Sequence, residues 1–62
     1  MEIIKKIESF NIPVVNQLLD KIFLSKSLDR RMEICDRILT EIERTGIDIT
    51  SIEDDLKELC IN

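Results

Sequence analysis

The sequence predicts an all-α fold, a small bundle of three to four helices formed by residues 1–62 as a single domain. Apolar residues recur at spacings of three and four, which is the period of an amphipathic helix. Strand-like alternation of apolar and polar residues extends over three positions, 47–49. The one glycine and the one proline lie between apolar stripes, where helices are expected to begin or end. We predict helices at about residues 2–10, 12–24, 27–45 and 51–60.

The first two predicted helices meet at Asn11. The first helix carries its apolar residues on one face: Ile3, Ile4, Ile7 and Phe10. Asn is a favourable N-cap and Pro is tolerated in the first turn, so we expect the second helix to begin near Ile12, with Asn11 as its N-cap. A single kinked helix is the alternative.

The third predicted helix has the most regular pattern, and either Ser25 or Ser27 is its expected N-cap. Five apolar residues step by four and three along it and form a heptad seam: Leu28, Met32, Cys35, Leu39 and Ile42. A chain of this size is only marginally stable without additional support, which self-association can provide. The seam therefore predicts a homodimer packed through this helix, with the internal core of a monomer as the alternative.

The last predicted helix follows Gly46, which is expected just past the end of the third helix. Thr50 and Glu53 have the spacing of a capping box, in which each side chain accepts a hydrogen bond from the other residue's backbone N–H. Glu53, Asp54 and Asp55 are placed in the first turn, where the helix dipole favours acidic residues.

The composition argues against enzymatic, cofactor and metal chemistry. The chain has no histidine, so it lacks the usual catalytic base and the usual partner of a nucleophilic serine or cysteine. Cys35 and Cys60 lie on apolar stripes, and we expect them to be buried and reduced. Two cysteines without histidine cannot supply the four ligands of a structural zinc site. We predict no catalytic residue, no cofactor and no metal.

The charge is distributed unevenly along the chain, whose net charge is −4. Residues 1–31 carry six basic and four acidic residues, whereas residues 32–62 carry three basic and nine acidic ones. We expect an acidic face near the C-terminus that meets a basic patch on a partner protein. Its predicted residues are Asp48, Glu53, Asp54, Asp55 and Glu58.

The main hypothesis is therefore a small acidic, non-enzymatic regulatory or inhibitor protein that acts by binding another protein. This hypothesis includes two further expectations: the protein is encoded by a phage or mobile element, and its acidic face occupies a basic nucleic-acid-binding groove of the partner. The alternative is a dimeric helix-turn-helix-like DNA-binding regulator that uses the basic segment 26–37. Its predicted contacts are Lys26, Arg30, Arg31 and Arg37, although a sequence pI of about 4.6 makes nucleic acid the less favoured partner.

A further alternative comes from a short motif at residues 24–29. Leu24-Ser25-Lys26-Ser27-Leu28-Asp29 resembles the Ser-x-x-Leu-Asp element of the small Spo0E-like phosphatases, helical hairpins that dephosphorylate a sporulation response regulator. The resemblance implies an essential role for Asp29. It covers six of the 62 residues, and here the element falls at a predicted helix break rather than inside a helix.

The sequence also bears on location. No apolar run approaches the roughly 20 residues that a membrane-spanning helix needs. The first six residues include Glu2, Lys5 and Lys6, which is unlike a signal peptide. We therefore expect a cytoplasmic protein.

Overall fold

The computed structural model describes residues 2–61 and contains four helices in this range, without strands. They are α1 (Glu2–Glu8), α2 (Pro13–Leu24), α3 (Leu28–Arg44) and α4 (Thr50–Ile61). The predicted all-α helical bundle is confirmed, and the observed bounds lie within two residues of the predicted ones.

The boundary between α1 and α2 differs from the prediction in its chemistry. Ile12, not Asn11, is the N-cap of α2, since its carbonyl accepts from the N–H groups of Val15 and Asn16. Ile12 is extended because the ring of Pro13 disfavours a helical conformation before it. Asn11 has a φ of 57°, a left-handed conformation that Asn tolerates better than most residues. The predicted Asn11 cap is therefore wrong, and so is the alternative of one kinked helix.

Both ends of α3 follow the prediction. Ser27 is the N-cap, and its hydroxyl accepts from the backbone N–H of Arg30 at 3.5 Å. At the other end Gly46 has a φ of 88°, which a residue with a Cβ rarely adopts. The N–H of Gly46 donates to the carbonyl of Glu43, so this residue ends the helix as expected.

The predicted capping box of α4 is wrong. The helix already begins at Thr50, whose backbone N–H donates to the carboxylate of Asp48 at 2.9 Å. The N–H of Glu53 donates to the carbonyl of Ile49, and the Glu53 carboxylate pairs with Lys57. Because the helix starts one residue earlier than predicted, Glu53 is in the first turn but Asp54 and Asp55 are not.

The core lies between α2, α3 and α4, and α3 packs against both of the others. Short α1 contacts α2 and α4, where Ile7 is completely buried. The predicted heptad seam of α3 divides into two parts. Cys35, Leu39 and Ile42 are buried inside this chain, whereas Leu28 and Met32 are 44% and 47% exposed. The three buried residues thus belong to the core of the monomer, which was the alternative to a homodimer in the sequence analysis.

Candidate functional site: a basic groove between α2 and α3

A groove of about 480 Å³ runs between α2 and α3 and is the candidate functional site. We call it the basic groove. Four residues of each helix line it: Val14, Gln17, Leu18 and Lys21 of α2, and Arg30, Glu33, Ile34 and Arg37 of α3. Near the end of α2 a second depression of about 320 Å³ shares Lys21, Arg30 and Ile34 with it and extends to Leu24.

Three cations border the basic groove. Arg30 and Arg37 are seven residues apart, which is two helical turns, so both side chains project from the same face of α3. Lys21 approaches from α2. Within residues 2–61 none of the three forms an ion pair; the salt bridges there are Arg44–Glu41 and Lys57–Glu53. Glu33 is the one acidic residue on the lining, so the groove carries a net positive charge.

The floor of the basic groove is apolar. Leu18 and Ile34 belong to the core but also line the groove, and their side chains are 8% and 9% exposed. Val14, also on the lining, is 38% exposed, and Leu24 of the adjoining depression is 80% exposed. An apolar floor with charged walls is typical of surfaces that bind an amphipathic segment of another molecule.

The predicted basic patch is only partly preserved by the fold. Arg30 and Arg37 line the basic groove, and Lys26 is exposed in the turn before α3 without lining it. Arg31 points elsewhere: its Nε donates to the carbonyl of Cys60 at 2.9 Å, and Nη1 donates to the carbonyl of Ser25 at 3.3 Å. Arg31 thus connects the ends of α2 and α4. A DNA-binding surface made of all four residues is therefore not present in the monomer.

Among the three cations of the groove, Lys21 is the one that was not predicted as a site residue from the sequence. It lies three residues after Leu18 and seven after Val14, at the margin of the apolar stripe of α2. The feature that could have identified Lys21 is its place at the margin of the apolar stripe, because a residue there borders the helix or ligand that packs on the stripe. Its proximity to Arg30 and Arg37 depends on how α2 packs on α3, which the spacing within α2 does not contain.

The five residues of the predicted acidic face differ in their contacts. The carboxylate of Asp48 accepts the Thr50 N–H, and hydrogen bonding to the Thr50 side chain and to its backbone N–H lowers the pKa of Asp48. Glu53 lies 2.9 Å from Nζ of Lys57, and this hydrogen-bonded pairing raises the pKa of Lys57. Asp54, Asp55 and Glu58 are exposed and make no ion pair within the described residues.

Cys35 and Cys60 are buried and unbridged, as predicted. The two thiols adjoin between α3 and α4. Burial raises the pKa of Cys35 to about 12, with a further contribution from the neighbouring Cys60 thiol. Burial also raises the pKa of Cys60. The hydrogen bond with Cys35 and the positive charge of Arg31 act in the opposite direction and reduce this rise. Since the thiolate is the nucleophilic form, neither cysteine is activated for covalent catalysis.

Comparison of the chain with protein-family models, with curated proteins and with solved structures gives no match. In the range 2–61, no group of three or more His, Cys, Asp and Glu side chains is placed to hold a metal ion. No helix in this range combines the length and the apolar character needed to cross a membrane.

The motif at residues 24–29 spans the break between α2 and α3. Ser25 and Ser27 lie in the connection, and Asp29 is exposed in the first turn of α3. Ser27 has a structural role there as the N-cap. The Spo0E-like elements are expected inside a helix of a two-helix hairpin, whereas here the motif joins two of four helices.

Proposed function

We propose that this domain is a small non-enzymatic regulatory or inhibitor protein that acts by binding another protein, with the basic groove as its main contact surface. The observation that carries this proposal is the groove itself. Three cations without carboxylate partners border an apolar floor, on a chain whose net charge is −4. The groove lining has a net charge of +2, from Lys21, Arg30 and Arg37 against Glu33, so the rest of the chain carries −6 and an acidic segment would be attracted to the groove.

The proposed occupant is an acidic amphipathic helix of the partner. Its apolar face would cover Val14, Leu18 and Ile34, and its acidic residues would meet the three cations at the rim. Nucleic acid fits less well, because Glu33 lies on the same wall as Arg30 and Arg37 and would repel successive phosphates. The DNA-binding alternative is for this reason less favoured than a protein partner.

The lack of catalytic groups supports a binding role. The sequence contains no histidine, and both thiols are buried with raised pKa values. The groove lining contains no cysteine, serine or threonine that could serve as a nucleophile. What the groove offers a ligand is charge and apolar surface.

The acidic face remains a second candidate contact, now limited to Asp54, Asp55 and Glu58. These residues are exposed on α4, on a different helix from those that form the basic groove. A partner with a basic patch, including a basic nucleic-acid-binding groove, would be met by this surface. The two surfaces make opposite predictions about the charge of the ligand.

The test uses a synthetic amphipathic helical peptide with leucines on one face and glutamates on the other, and a second peptide with lysine in place of glutamate. Amide NMR spectra of the protein are recorded during titration with each peptide. We expect the acidic peptide to shift the amide signals of Gln17, Lys21 and Glu33. In R30Q/R37Q its affinity should fall about tenfold, since two lost charge contacts of about 0.7 kcal/mol each correspond to that factor.

K5Q/K26Q is the matched control, because it removes two cations that do not line the basic groove. It should bind the acidic peptide as the wild-type protein does. Equal loss of affinity in both double variants would show a non-specific charge effect and contradict the proposal. Binding of the basic peptide alone, lost in D54N/D55N/E58Q, would assign the function to the acidic face instead.

A further inference from the structure

Three sulfur-containing side chains meet in one small pocket between α3 and α4. Met32 and Cys35 are three residues apart, so they lie on the same face of α3, and Cys60 comes from α4. The pocket has a volume of about 70 Å³. Its remaining lining residues are Asp36, Lys57 and Ile61. No part of the basic groove is involved.

The side chains that line the pocket differ in their exposure to solvent. Met32 is 47% exposed and Ile61 is 57% exposed, so they form the rim of the pocket. Cys35 and Cys60 are 2% and 1% exposed, so they form its base. A ligand that enters past Met32 would reach two adjoining thiols that water scarcely contacts.

This combination of donors is selective. Thiolate and thioether ligands favour soft cations such as Cu(I), whereas Zn²⁺ sites in proteins typically have four Cys, His or carboxylate ligands. The Asp36 carboxylate lines the pocket, yet it is not placed to form a three-ligand group with the two cysteines. The sulfur donors that line the pocket are two thiols and one thioether.

We propose that Met32, Cys35 and Cys60 form a binding site for one Cu(I) ion, with three sulfur ligands. Binding replaces the two thiol protons, which are released to solvent, by one Cu⁺, and the thioether of Met32 donates a lone pair without losing a proton. The bound site carries a charge of −1. Three charged groups lie beside it: Lys57, which is paired with Glu53, and the Asp36 carboxylate both line the pocket, and Arg31 donates to the carbonyl of Cys60.

The experiment is an anaerobic titration of the fully reduced protein with Cu(I), in competition with the chromogenic chelator bathocuproine disulfonate. We expect one Cu(I) per chain and an X-ray absorption spectrum with sulfur ligands alone. C60A should lose this binding. M32L should weaken it by about tenfold or more, because even partners outside the coordination shell contribute at least that much.

I61L is the matched control, since it changes the same pocket without removing sulfur, and it should bind Cu(I) with wild-type affinity. M32L replaces a half-exposed residue and is expected to fold, so it decides the case even where C60A does not fold. Cu(I) should also raise the thermal midpoint of the wild-type protein, because binding to the native state stabilises it. Equal Cu(I) affinity of M32L and wild type, or no rise in midpoint, would overturn the proposal.

Discussion

Arg31 shows that a charged residue within a basic segment can serve the fold. Its guanidinium donates to carbonyl oxygens of Cys60 and Ser25, which lie near the C-terminal ends of α4 and α2. Such carbonyls lack partners within their own helices and carry the negative end of the helix dipole. A cation placed there satisfies them and favours the close approach of the two helix ends to α3.

Replacing Arg31 should therefore lower stability. We expect R31A to reduce the free energy of unfolding by about 1.5–3 kcal/mol, the range for hydrogen bonds that involve a charged group. R30A is the matched control, because the side chain of Arg30 makes no hydrogen bond or ion pair in the described part of the chain. This substitution should change the free energy of unfolding by less than about 0.5 kcal/mol. Urea denaturation measures both. Equal losses would show that Arg31 acts through helix propensity rather than through these contacts.

The first backbone N–H of α4 is capped by the side chain of Asp48, which lies two residues before the helix begins. Thr50 and Glu53 have the spacing of a capping box, but the helix begins at Thr50 and Asp48 accepts its backbone N–H. A carboxylate at this end also interacts favourably with the helix dipole. Glu53 is then free to pair with Lys57, four residues later on the same helix.

This arrangement makes the stability of α4 depend on pH. The folded-state pKa of Asp48 is lowered, so its contribution is present above the ordinary Asp pKa of about 3.9 and is lost as the pH falls through the folded-state pKa. We expect D48A to unfold at lower urea concentration than wild type at pH 7, with the difference vanishing in acid. D54A, which removes an exposed acid without a hydrogen-bonded partner in the described residues, is the control. A difference that persists unchanged at acidic pH would contradict the cap.

At the scale of the whole molecule, α3 joins two surfaces of different character to one core. Its buried side chains pack against α2 on one side and α4 on the other. The basic groove lies on the α2 side and the sulfur pocket on the α4 side. The same helix therefore positions the residues of both proposals, and damage to its core contacts would affect both.

The division of the heptad seam can be tested by two equivalent substitutions. L39A removes a core side chain and should cost about 2–5 kcal/mol of stability at every protein concentration. L28A removes a side chain that is 44% exposed and should cost much less. Thermal unfolding at several concentrations, with light scattering for the mass, measures both effects. A midpoint that rises with concentration and falls in L28A would instead support a dimer through Leu28 and Met32.

Much of the local structure was predictable because it depends on near neighbours in the chain. The period of apolar residues located all four helices, and Ser27 and Gly46 marked both ends of α3 as expected. The errors lie where two local signals compete. At the start of α2, Pro13 makes Ile12 rather than Asn11 the N-cap. At the start of α4, the capping side chain is that of Asp48 rather than Thr50, because the helix begins one residue earlier than the capping box requires.

The all-α class, the extents of the helices and the burial of both cysteines could be predicted, because each follows from the spacing of residues along one helix. Which charged residues meet depends instead on how the helices pack against one another. Lys21 joined Arg30 and Arg37 across a groove, Arg31 turned away from them, and Met32, Cys35 and Cys60 converged in one pocket. The reason is geometric: a helical pattern specifies which side chains share a face, but the packing of helices specifies which faces adjoin.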